Sequence, residues 1–114
     1  MFLKYENANE IEMIKIDNLE SIKAELLYEE NRKYIAVVGY GNTQKMILKA
    51  YQIGVICYQN EKEKEDEVRK KKAAMKKAHD FMEMVVAAFE NKEPVLYVGS
   101  KYMSTIKMQG GNNA

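Results

Sequence analysis

The stretch Asn60–Asn91, NEKEKEDEVRKKKAAMKKAHDFMEMVVAAFEN, is almost pure charge in its first half and apolar in its second. Asn60 is a good N-cap, and Glu63 three residues on makes a loose capping box. Glu61, Glu63, Glu65, Asp66 and Glu67 crowd the first turns, where the helix dipole favours negative charge. Arg69, Lys70, Lys71, Lys72, Lys76 and Lys77 follow later, as the dipole prefers. Glu65–Arg69, Asp66–Lys70 and Glu67–Lys71 are acid-before-base pairs at i,i+4, each adding a few tenths of a kcal/mol. From Ala74 onward Met75, Ala78, Met82, Val85 and Phe89 recur at spacings of three and four, with Ala74, Phe81 and Ala88 alongside. Asn91 and then Pro94 stop the pattern. A helix is expected over Val68–Glu90; whether Glu61–Glu67 is ordered with it stays open. The half Glu61–Lys72 is expected to project beyond the core, because Val68 is its only apolar residue.

Working outward, the segments before the helix have the period of strands. Met1–Tyr5 alternates weakly, as an edge strand would. Glu10–Ile16 puts Ile11 and Met13 on one face and Ile14 and Ile16 on the other, which a bulge or burial on both faces would explain. Ser21–Glu29 alternates Ile22, Ala24, Leu26 and Tyr28 against Ser21, Lys23, Glu25 and Glu29, with Leu27 the exception. A helix competes there, since Leu19–Leu27 is rich in helix formers, but the alternation and the hairpin it makes with the next segment favour a strand. Tyr34–Tyr40 is apolar on both faces, as a central strand is. Gly41–Thr43 supplies a hairpin turn before Gln44–Gln52. Gly54 is expected to break that run ahead of Val55–Tyr58, a short strand or connector. After the helix, Val95–Val98 forms a short strand that Tyr102–Met108 extends.

The expected architecture is therefore α+β: an antiparallel meander of about four or five strands, one long helix packed on its face, and a short final strand. Residues 1–109 make one domain and Gly110–Ala114 a disordered tail. No repeat or linker divides the 114 residues.

Composition narrows the function classes. A net charge of +1 gives no global field to steer the chain toward nucleic acid or a membrane. No apolar run approaches the roughly 20 residues a membrane helix needs, and the N-terminus lacks a signal-peptide pattern. The single cysteine, Cys57, lies in the apolar run Ile53–Tyr58 and reads as a buried, inert thiol of a reducing compartment. A cytoplasmic protein is expected. Eight methionines, eight tyrosines and no tryptophan suit flexible core filling, or an adaptable partner-binding surface.

Catalytic chemistry is hard to assemble from these residues. His79, the only histidine, has Asp80 beside it, but adjacent helical residues diverge and form no dyad. One histidine and one buried cysteine do not make a zinc site. The glycines of Val38–Asn42 lack the lysine-serine pair of a phosphate loop and the third glycine of a dinucleotide fingerprint. No catalytic residue, metal ligand or cofactor is assigned. Two candidate surfaces remain on the helix. Met75, Ala78, Met82, Val85 and Phe89 would permit a coiled-coil-like seam, unless the chain's own sheet uses that stripe, and Met75, Ala78, Phe81, Met82 and Val85 are the candidate interface with a partner or a second copy. Arg69, Lys70, Lys72, Lys76 and Lys77 could contact phosphates non-specifically, against five carboxylates within the two preceding turns.

The hairpin from Tyr34, the Ile47-Leu48-Lys49-Ala50-Tyr51 stretch, the helix ending in Ala87-Ala88-Phe89 and the strand after Glu93-Pro94 resemble short uncharacterised proteins of phages and mobile elements in low-GC Gram-positive bacteria. The resemblance covers Tyr34–Val98. It implies a small accessory or counter-defence protein that works by binding a host protein or a small signalling molecule, and it transfers no functional residues. The expected function is non-enzymatic binding of a host protein or of the chain itself as a homo-oligomer. A small-molecule sequestering oligomer and a nucleic-acid binder are the alternatives.

Overall fold

The computed structural model describes residues 1–56 and 60–104. Seven strands and one helix occur among them, in the order β1 (Phe2–Glu6), β2 (Ile11–Lys15), β3 (Leu19–Glu29), β4 (Arg32–Gly41), β5 (Lys45–Val55), α1 (Glu61–Glu90), β6 (Val95–Gly99) and β7 (Tyr102–Ser104). The class is α+β, with the helix on a largely antiparallel sheet and a short strand at the end. The strands form two sheets rather than a single meander. One has the order β2-β1-β6 and the other β3-β4-β5-β7. The β1–β2, β3–β4 and β4–β5 pairs are antiparallel, whereas β6 joins β1 and β7 joins β5 in parallel. The chain after the helix thus stitches the two sheets together.

β3 is a strand throughout, so its hairpin with β4 overrides the helix-forming residues of Leu19–Leu27. The pairing runs from Leu19↔Gly41 to Glu29↔Arg32 and closes through a tight turn with Glu30 at φ 56. β4 lies between β3 and β5, and Tyr34 to Gly39 are buried on both faces. β5 does not stop at Gly54. It runs on to Val55, with Gly54 opposite Lys33, because the missing side chain makes room for Glu67 of the helix: a Cβ there would sit 2.5 Å from Glu67 Oε1. In β2, Ile16 beyond its end is buried and Ile14 half-buried, while Ile11 and Met13 are exposed. One face is therefore covered and the β1–β2 register is regular; neither a bulge nor two-sided burial is needed. Cys57, the end of the Val55–Tyr58 connector, residues 105–108 of the last strand and the Gly110–Ala114 tail lie outside the described residues.

The main core sits between the inner face of the larger sheet, the helix and the smaller sheet. Ile35, Val37, Leu48, Tyr51 and Ile53 meet Ala74, Ala78, Phe81 and Val85 from α1, and Leu3, Tyr5 and Ile16 from the β1–β2 region. Alanines at 74, 78 and 88 let the helix backbone approach the sheet, and each buried large side chain such as Val85 or Phe81 contributes about 1.5–3 kcal/mol. On the outer face, Ala36, Val38 and Ala50 lie under Leu27, Tyr34, Tyr40 and Ile47. A bulge in β5 leaves Leu48 between Ile47 and Lys49 with no partner residue on β4. Its carbonyl instead accepts the Tyr5 hydroxyl at 2.6 Å, a buried bond between the two sheets.

The helix starts where Asn60 accepts the backbone N–H of Glu63 at 2.9 Å. It stops in a Schellman motif: Lys92 N–H donates to Phe89 and Glu93 N–H to Ala88, with Lys92 at φ 57. Its acidic half does not simply project. Glu67 lies 3.4 Å from Lys33 Nζ, and both side chains are largely covered. Val68, the apolar residue of that half, is 62% exposed.

Candidate functional site

Helical phase decides what each expected site residue can do. The buried stripe of α1 is Ala74, Ala78, Phe81, Val85 and Ala88. Ala78, Phe81 and Val85 are therefore spent on the chain's own sheet and are not open to a partner. Met75 and Phe89 are each 43% exposed. The stripe is rotated toward the alanines because a close-packed helix–sheet layer has room for them and none for Met75. The coiled-coil seam of Met75, Ala78, Met82 and Val85 is thus broken by burial of two of its members.

The basic residues do not form one face. Arg69 pairs with Asp66, and Lys76 with Asp80 at 3.4 Å. Lys72 is exposed, whereas Lys70 and Lys77 are half-buried. Helical spacing puts Lys70 and Lys77 on one flank and Arg69, Lys72 and Lys76 on another. His79 is exposed, with Nε2 3.1 Å from Glu83 Oε1. Among the described residues no group of three or more His, Cys, Asp or Glu side chains could hold a metal ion. No described helix is long and apolar enough to cross a membrane.

What the structure brings together is a flank the spacing of the helix alone did not reveal. Ile22, Ala24, Leu26 and Tyr28 of β3 share the inner sheet face with Ile35 and Val37, as their pairing shows. Ile22 and Ala24 pack on the core, but Leu26 and Tyr28 stay 42% and 57% exposed. Next to Ile22 lies a groove of about 460 Å³ lined by His79, Met82, Glu83, Val86 and Glu90, among others. Met75 and Val68 continue the Met82–Val86 flank by helical spacing. β3 is also the terminal strand of its sheet, so the backbone edge away from β4 is unpaired among the described residues. A long edge strand next to apolar surface is a ready template for strand addition. The alternation of β3 was visible in the sequence; its place at the edge was not.

A second cleft, of about 350 Å³, lies on the opposite flank and is lined by Lys49, Tyr51, Lys77, Asp80, Phe81 and Met84, among others. Its polar groups are engaged within the fold. Lys49 Nζ donates to the carbonyls of Val98 at 3.1 Å and Ser100 at 2.5 Å, and burial lowers the Lys49 pKa. The Tyr51 hydroxyl leans on the Lys77 carbonyl at 3.5 Å, and burial, then the nearby Asp80 charge, push its pKa up to about 12. Lys49 braces the bend between β6 and β7 more than it presents a cation to a ligand.

No protein-family model, curated protein or solved structure matches the chain.

Proposed function

We infer that the chain is a non-enzymatic binding protein that takes a protein partner along the β3 edge and the adjoining flank of α1. The observation that carries this is the coincidence, along one strand, of an outer edge with no strand partner among the described residues, exposed Leu26 and Tyr28, and the Ile22–Met82–Val86 groove. Main-chain hydrogen bonds supply affinity in such strand addition, and alternate side chains supply specificity. The resemblance to phage and mobile-element proteins supports an accessory or counter-defence role for that binding, and the single cysteine supports a cytoplasmic setting. The second reading, a small-molecule binder using the Lys49–Tyr51–Lys77 cleft, has a suitable aromatic and basic lining but polar groups already occupied.

The test compares capture, from a bacterial lysate that also contains an untagged copy of the chain, by the tagged wild-type chain, Leu26→Asp, and Tyr97→Asp on the other sheet, followed by reconstitution from purified components. Wild type and Tyr97→Asp are expected to hold a partner stoichiometrically, and Leu26→Asp to lose it. Equal capture by all three removes this surface from the reading. A saturable thermal shift with a nucleotide panel, abolished by Lys77→Ala, would favour the second reading.

A further inference from the structure

We propose that the partner seated on the β3 edge is a second copy of this chain, paired antiparallel about a two-fold axis through Ala24. This rests on the binding surface inferred above and names its occupant. The register follows from the strand itself. A two-fold axis normal to the sheet keeps each face in line with itself, so facing residues must both be inner or both be outer, and the axis must pass through a residue position. β3 is irregular between Leu19 and Ser21 and alternates regularly from Ser21 to Glu29; an axis through Ala24 pairs Ser21–Leu27 with the same stretch of the copy. Lys23 then faces the partner's Glu25 on the outer side, once on each side of the axis. Ile22 faces the partner's Leu26 on the inner side. Moving the axis one position either way sets Lys23 against the partner's Lys23, or Glu25 against the partner's Glu25. Directly opposed like charges destabilise a strand pair, so the neighbouring registers are penalised and the one about Ala24 is favoured.

The side chains support the same seam. The Tyr40 hydroxyl donates to Glu25, and Lys23 Nζ lies 5.3 Å from the Tyr40 ring centroid, so both charges are held on the outer face of the sheet. On the inner face, the partner's Leu26 arrives beside Ile22, at the groove bounded by Met82 and Val86. By symmetry each copy's exposed Leu26 covers the other's groove. Ala24 at the axis leaves the two backbones room to approach. The product is one continuous eight-stranded sheet with both helices on the same side, a closed, isologous pairing.

The experiment is light scattering on a size-exclusion column with charge-reversal variants. The wild-type chain is expected to elute as a dimer. Lys23→Glu alone and Glu25→Lys alone each place two like-charge pairs at the seam and weaken the dimer by about tenfold or more. Mixing these two variants restores every opposite-charge pair, so a heterodimer forms at near wild-type strength, a result that misfolding cannot produce. In a Cys57→Ser background, Ala24→Cys cross-links two copies on oxidation, whereas Lys23→Cys, whose counterpart is displaced along the strand, does not. A wild-type monomer at all concentrations, or a dimer indifferent to Lys23 and Glu25 reversal, overturns the proposal. A monomer that still captures another protein through Leu26 overturns the second copy alone. A monomer that captures nothing overturns the binding reading with it.

Discussion

Replacing Phe81 and Phe89 separately by alanine measures which side of α1 faces the sheet. The two lie eight residues apart on one helix, yet Phe81 is 4% exposed in the core and Phe89 is 43% exposed. Truncating a buried phenylalanine costs about 3–5 kcal/mol in lost transfer energy and cavity formation. With about 2.1 cal/mol/K of unfolding entropy per residue, that loss lowers Tm by roughly 13–20 °C in a domain of this size. It also takes a large part of the about 5–15 kcal/mol that holds such a domain folded. At Phe89 only part of the ring is covered, and alanine returns a few tenths of a kcal/mol in helix propensity. The expected net loss there is below about 1 kcal/mol, or about 4 °C. Far-UV circular dichroism, during heating and during urea titration, reads both variants without needing a tryptophan. Comparable losses at both positions, or a larger one at Phe89, would refute the assigned helical phase and reopen the Met75–Met82–Phe89 side as the core.

Other expectations follow from particular contacts. Tyr5→Phe leaves the Leu48 carbonyl unpaired in the β5 bulge and is expected to cost about 1–3 kcal/mol in urea titrations. Burial, with a smaller contribution from Glu12, raises the Tyr5 pKa in the folded state, and Tyr51 and Tyr102 are each pushed up to about 12. A raised folded pKa favours the protonated hydroxyl, so its stabilisation is intact below pH about 10 and lost as pH climbs above that. Alkaline melts should show stability falling between about pH 10 and 12, with a shallower fall in Tyr5→Phe; a flat profile would count against these buried hydroxyls. Lys92→Gly relieves a left-handed conformation at the helix end and should stabilise by about 1 kcal/mol, seen as a higher urea midpoint at unchanged slope. Lys33→Met leaves the covered Glu67 carboxylate without its cation and should cost about 1–3 kcal/mol. A double-mutant cycle with Glu67→Gln should then show coupling between the two positions, whereas additive losses would mean that the pair does not anchor the helix.

Local features of the sequence carried much of this fold. The Asn60 cap, the helix end before Pro94 and the two-sided burial of Tyr34–Tyr40 depend on residues close in the chain. Hydrogen bonding of Asn60 to Glu63 and the Schellman turn at Lys92 are local events. Helical phase was harder, because Ala74, Met75, Ala78, Phe81, Met82, Val85, Ala88 and Phe89 together span an arc wider than one sheet can cover. Periodicity shows that arc but not which edge of it is buried. The choice is made by distance: alanines allow the helix to settle closely on Val37 and Tyr51, and the methionines are turned aside toward β3. Gly54 was misleading for a related reason. It resembles a strand breaker, yet its missing side chain admits Glu67, a residue far along the chain in a different element.

The candidate surface was less legible still, since it depends on strand order. Ile22, Ala24, Leu26 and Tyr28 alternate as any half-buried strand does, and nothing within Leu19–Glu29 says whether a neighbour lies on one side or both. Strand order is fixed by the parallel return of β7 onto β5, which commits the far side of the sheet and leaves β3 at the end. Once β3 is an edge, the same residues acquire a different meaning. Lys23 and Glu25, ordinary solvent-facing charges in a central strand, become the groups that choose among registers for an incoming strand. Charges at an edge can also serve to repel pairing altogether. Their arrangement separates the two roles: a lysine and a glutamate placed symmetrically about Ala24 attract their own copies in the register centred there and repel them in the two adjacent ones. A purely protective edge has no need of that symmetry, which is why reversal of one charge, rescued by reversal of the other, is the decisive comparison.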